Sequence, residues 1–188
     1  MIYRQGTTAD IDQVLLLQDK YLLVNMPETS RSEGFVTTPF SEEQLKIIIA
    51  FKGLFVAEDD GKIVAYVVVC SWDFFIQFPI FAYMASRFDT INFHDFKINT
   101  VNSFEYGPIC IDSKYRNRGV FQNLFESMRA SIADRYKVGV TFINKLNKRS
   151  FSAHTKKLNL KVIDEFSFNQ YEFYTLAFWT DESVINKL

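Results

Sequence analysis

The segment that most narrows what this chain can become runs from Ile109 to Leu124, ICIDSKYRNRGVFQNL. Apolar, strand-favouring residues lead into a polar turn. A helical pattern then opens at Gly119, with Phe121, Leu124, Phe125, Met128 and Ile132 spaced for one inward face. A strand that feeds a helix in this way points to α/β layering. The turn also has the makings of an anion site. The first amides of a helix lack intrahelical acceptors and sit at the positive end of its dipole. Arg116 and Arg118 add charge, and Gly119 lets the backbone approach closely, so the turn suits a pyrophosphate. An ordinary basic turn with a glycine fits the same residues.

The rest of the chain extends this layering on both sides. A strand over Met1–Arg4 precedes a helix capped at Thr7 or Thr8, with Ile11, Val14, Leu15, Leu17 and Leu22 broadly on one face. Val24–Phe40 holds Pro27, Gly34 and Pro39 and reads as loop, after which Ser41-Glu-Glu-Gln44 forms a capping box for a helix ending near Phe51. Gly53–Glu58 and Lys62–Ser71 form a hairpin about Asp59-Asp60-Gly61. Trp72–Asn102 is phenylalanine-rich and irregular, with a helix expected over Pro79–Arg87, and reads as an insertion over the body. Strands follow at Phe104–Ile111 and Val138–Ile143, flanking the Gly119–Tyr136 helix. A short helix at about Lys148–Leu158 precedes two antiparallel strands, Lys161–Phe168 and Tyr171–Trp179. At 188 residues, one domain spanning 1–188 is expected.

Charge narrows the partner. Residues 111–161 carry twelve Lys and Arg against three Asp and Glu, a local excess near +9 in a chain whose net charge is −1. A solvated face or a nucleic-acid surface would account for this excess, and a phosphate-bearing cofactor is the sharper reading. No apolar run reaches the roughly 20 residues of a membrane span, and the opening residues do not form a secretory signal, so a cytoplasmic location is expected. Cys70 and Cys110 lie in apolar strand-like runs without metal-ligand spacing; neither a disulfide nor a metal site is expected.

The run Tyr115-Arg116-Asn117-Arg118-Gly119-Val120-Phe121 resembles the acetyl-CoA motif of the GNAT acyltransferases, Arg/Gln-x-x-Gly-x-Gly/Ala after a strand. Its first arginine and first glycine match, and Phe121 replaces the last small residue. The opening β–α, the hairpin, the strand at Phe104–Ile111 and the later Asn147-Lys-Arg-Ser150, His154 and Leu158-Asn159-Leu160 follow the family's order. Asn159 stands where a glycine is usual, in a residue type that tolerates left-handed backbone. The resemblance implies a mostly antiparallel central sheet flanked by helices, with strands Phe104–Ile111 and Val138–Ile143 splayed around a pantetheine arm. It implies that backbone groups of Ile109, Cys110 and Ile111 hold that arm. Amides of Arg116, Asn117, Arg118, Gly119, Val120 and Phe121 would hold the pyrophosphate. Asn147 and Ser150 would contact the cofactor from the next helix, although Asn147 also fits a simple N-cap.

The activity so implied is transfer of an acetyl group from acetyl-CoA to a primary amine of a small molecule or peptide, within a ternary complex. An ammonium near pKa 10.4 must lose a proton before attack, and Glu105 lies at the family's spacing for a general base. A backbone N–H near Cys110 would meet the negative charge on the acyl oxygen. His154 is the candidate acid for the departing thiolate, in the helix where the family often has tyrosine, with Tyr171 and Tyr174 as fallbacks. The phenylalanines of the insertion either line an apolar acceptor pocket or pack the insertion onto the sheet. A non-catalytic acyl-CoA sensor is the alternative, consistent with Phe121 and the missing tyrosine, and a homodimer stays open.

Overall fold

The computed structural model describes residues 1–185, apart from the side chains at positions 30, 32 and 33. The elements run β1 (Ile2–Gln5), α1 (Ile11–Tyr21), α2 (Glu42–Ala50), β2 (Leu54–Asp59), β3 (Lys62–Cys70), α3 (Trp72–Phe75), α4 (Pro79–Ser86), β4 (Asn92–Phe93), β5 (Phe96–Lys97), β6 (Ser103–Ile111), α5 (Val120–Ile132), β7 (Val138–Asn144), α6 (Lys148–Lys157), β8 (Lys161–Phe168) and β9 (Tyr171–Trp179). Local chemistry sets several boundaries. Ser41 and Gln44 exchange the two hydrogen bonds of a capping box at the start of α2. Asp60 and Gly61 take φ of 50° and 72°, closing the β2–β3 hairpin. Asn159 at φ 59° ends α6 as its tolerance for left-handed backbone foretells.

Seven strands form one sheet in the order β1-β2-β3-β6-β7-β9-β8, antiparallel at every junction except β6–β7, with β4 and β5 as a separate small hairpin. One face buries Ile11, Val14, Leu17 and Tyr21 of α1 together with Tyr66, Val68, Cys70 and Cys110. The other buries Leu124, Phe125, Met128 and Ile132 of α5 against Val67, Val69, Phe104 and Tyr106. Gln18 and Tyr21 occupy the buried face of α1 where Leu15 and Leu22 were expected, and those two leucines are only partly buried. The 72–102 segment is not laid over a finished body. Trp72, Phe75, Phe81, Met84 and Phe88 belong to the α1-side core, and Trp72 Nε1 donates to Ser103 Oγ at 3.0 Å.

Where β6 meets β7 the packing is tight, because a Cβ at Gly139 would clash with ring carbons of both Phe178 and Phe104. Gly139→Ala is therefore expected to destabilise the fold by about 1–3 kcal/mol through overpacking, measurable by denaturant unfolding. An unchanged midpoint would contradict this packing.

Candidate active site

Parallel pairing of β6 with β7 covers only Ser103↔Val138 to Glu105↔Val140, although β6 continues to Ile111 and β7 to Asn144. Beyond that point the strands separate and leave their facing edges to a cleft. The separation coincides with a bulge. On β3, Val67 faces Ile109 and Val69 faces Tyr106, so β6 carries one extra residue around Gly107 and Pro108. The bulge reverses the alternation. Tyr106, Ile109 and Ile111 lie on the α5 face, and Glu105 shares the α1 face with Cys110. Simple alternation would have placed Glu105 with Ile109 and Ile111, and the extra residue overturns that phase.

Two cavities meet in this cleft. The first is a groove of about 740 Å³, counting its open side, lined by Ile109, Cys110, Ile111, Arg116, Asn117, Gly119, Phe121, Asn147 and Ser150 among others. Gly119, at φ 79°, is the N-cap of the 13-residue α5 and turns its first amides outward. Arg116 is held by Nε donating to Ile111 O at 3.0 Å, with its guanidinium 4.9 Å from the Tyr21 ring centroid. Tyr21 is fixed in turn, since its hydroxyl accepts from the Ser113 amide at 2.7 Å. Arg149 and Lys157 add positive charge on the α6 side. Arg118 and Val120 do not line the groove. Arg118 sits 5.8 Å over the Tyr115 ring, and Val120 is buried in the α5 core.

The second cavity, about 600 Å³ with its mouth, is lined by Glu105, Tyr106, Pro108, Thr141, Phe142, Phe81 and the 35–38 loop. Glu105 is 2% exposed, and its Oε2 has no hydrogen-bond partner. Burial pushes its carboxyl well above the usual range, because a charge there has lost its water without gaining a partner. The two cavities share Phe35, Val36, Ile109, Asn147, Ser150 and His154.

At that junction the polar groups are closely specified. Asn147 caps α6, with Oδ1 accepting from the Ser150 amide at 3.1 Å, and its Nδ2 donates to Phe35 O at 3.3 Å. His154 is 4% exposed and its Nδ1 lies 2.7 Å from Ser150 O. A carbonyl only accepts, so Nδ1 carries the proton and Nε2 accepts from the Tyr106 hydroxyl at 3.2 Å. Burial lowers the imidazole to about 4. His154 is thus neutral with both nitrogens engaged, which replaces the proton-donating state expected of it with a positioning one. Its ring also meets Phe121 edge-on at 5.1 Å, so the residue standing in for a small one packs sideways onto the helix. Cys110 is pushed up to about 12 by burial and is inert as a nucleophile.

The sequence brought together Glu105, His154, Arg116, Gly119, Asn147 and Ser150 in one place, and missed Tyr21, Tyr106, Arg149 and Lys157. The four-residue helical spacing of Ser150 and His154 signals their contact; nothing local signals Tyr106. Neither Tyr171 nor Tyr174 lines either cavity.

This arrangement, a mixed sheet splayed at a bulge beside a glycine-capped helix, is the layout that the resemblance to the GNAT acyltransferases implies. No protein-family model matches the chain, and no curated protein matches it in sequence. Solved structures do match its fold. An N-acetyltransferase from Staphylococcus aureus Mu50 has a TM-score of 0.62 at 16% identity, covering 96% of this chain and 98% of that one. The ribosomal-protein-alanine N-acetyltransferase of Brucella melitensis also scores 0.62, at 15% identity over 95% and 99%. The structure of yncA from Salmonella typhimurium with its cofactor acetyl-CoA scores 0.62, at 12% identity over 96% and 94%.

Proposed function

We propose that this chain is an acyl-CoA-dependent N-acetyltransferase that passes an acetyl group from acetyl-CoA directly to a primary amine. The observation that carries this reading is the junction of a basic, glycine-capped groove with a cleft holding a buried carboxylate whose Oε2 is unpartnered. A cofactor sensor would need the groove alone.

When bound, acetyl-CoA supplies the activated acyl group. The first amides of α5, with Arg116, Arg149 and Lys157 nearby, suit its phosphates, and the open edge of β6 at Ile109–Ile111 suits an amide-bearing arm. Glu105, whose proton affinity burial raises, is the acidic group of the cleft that would take the proton of the acceptor ammonium once ionised. A backbone N–H near Cys110 meets the charge that develops on the acyl oxygen. A thiol of cysteine-like pKa, ~8.5, leaves without a strong acid, so one hydrogen bond to the sulfur suffices.

Saturating acetyl-CoA is expected to raise the melting midpoint, since a ligand at 100 times its Kd adds ~2.7 kcal/mol. Arg116→Ala should weaken that binding about 10- to 100-fold, the worth of a hydrogen bond to a charged group. Calorimetry decides both; an unshifted midpoint with acetyl-CoA would refute the acetyltransferase reading.

A further inference from the structure

We infer that the acceptor is a small apolar monoamine, bound with its ammonium on Glu105 and its body against Phe81 and Phe142. The inference rests on the acetyltransferase reading above and specifies which amine that cleft takes. Its first support is the count of charges. Among the described residues lining the cleft, Glu105 is the only acidic side chain, and no Lys or Arg lines it. His154 adds no charge, because its burial disfavours the protonated ring. The second support is the Glu105 carboxyl, which lines the cleft while its Oε2 is buried without a hydrogen-bond partner, so the group as a whole is short of donors.

Each charge beyond the first is left without a partner. A second ammonium, as in a polyamine, would find no second carboxylate among the residues that line the cleft. An amino acid would bring a carboxylate near Glu105 with no cation between them. Size is limited as well. Phe81 is 2% exposed, stacked on Phe75 at 4.6 Å and edge-on to Phe142 at 4.9 Å, so the wall it forms is part of the core and does not swing aside. An extended peptide would have to pass this wall, whereas an aryl or branched alkyl group packs onto it.

The chemistry balances within this site. The ammonium gives one proton to Glu105, and the lone pair so freed on nitrogen forms the C–N bond as the C–S bond breaks. The nitrogen's second proton passes to the departing thiolate, which leaves as the free thiol, and Glu105 returns the first proton to solvent. The product amide is uncharged, so its attraction to Glu105 ends with the reaction.

The test measures acetyl-CoA affinity by calorimetry and, separately, thiol release with phenethylamine, isoamylamine, putrescine, spermidine, phenylalanine and an alanine-initiated pentapeptide. A monoamine should be preferred over the diamine, the amino acid and the peptide by about 10²-fold in kcat/KM, as expected when a buried polar group is left unpaired. Equal or better turnover of putrescine, spermidine, phenylalanine or the peptide overturns the inference. So does acetyl-CoA binding with neither monoamine turned over. Both outcomes leave the cofactor reading standing, whereas failure to bind acetyl-CoA removes both. Phe81→Leu should shift preference from phenethylamine toward the bulkier tryptamine at unchanged acetyl-CoA Kd; an unchanged ratio overturns the steric half.

Discussion

Glu105→Gln is expected to cut turnover of the preferred amine by about 10²–10⁴-fold, while making the folded protein more stable at neutral pH. The two effects share one cause. The wild-type carboxyl is buried without a partner for Oε2, and its pKa is raised in the fold. Above the ordinary carboxylate value of ~4.3 and below the raised one, the folded state holds a proton that the unfolded state has released. Stability therefore falls as pH rises through that window, and a glutamine removes the fall. Rate loss in the variant should shrink toward about pH 9, where more amine is already deprotonated in solution. Wild-type rates from about pH 6 to 9 would take Glu105 out of the reaction. A stability difference that does not grow with pH would mean that the carboxylate finds a partner in solution.

The second large effect is on stability in acid. In the unfolded chain His154 takes up a proton near pH 6.5, and in the folded chain only near about 4. Between those values the unfolded state holds more protons, so lowering the pH across the window should remove ~3 kcal/mol of stability. His154→Gln, which can still accept from the Tyr106 hydroxyl, should lose most of that dependence. Denaturant midpoints at intervals across the window are the measurement. Parallel curves for the two proteins would show that His154 does not stay neutral in the fold.

Local signals foretold the local parts of this structure. The Ser41–Gln44 capping box, the Asp60-Gly61 turn and the glycine before α5 each act through neighbouring backbone, and each is where its residues place it. What depends on pairing partners far along the chain was not legible. The bulge at Gly107–Pro108 exists relative to β3, so strand alternation alone would group Glu105 with Ile109 and Ile111, which the actual register separates. The Tyr106–His154 hydrogen bond spans 48 residues, and the Ser113–Tyr21 bond spans 92. The phenylalanines of 72–102 announced burial without saying against what. Most pack into the α1-side core, and Phe81 does that and faces the cleft as well.

That double position of Phe81 has an evolutionary consequence. No residue of 72–102 lines the first groove, and that groove's charged residues come from the turn before α5 and from α6. On the binding mode inferred above, drift in α4 would therefore alter which amine is accepted and leave the turn before α5 untouched. A duplicated copy of this chain could then diverge in substrate by changes confined to one short helix and keep its acyl donor.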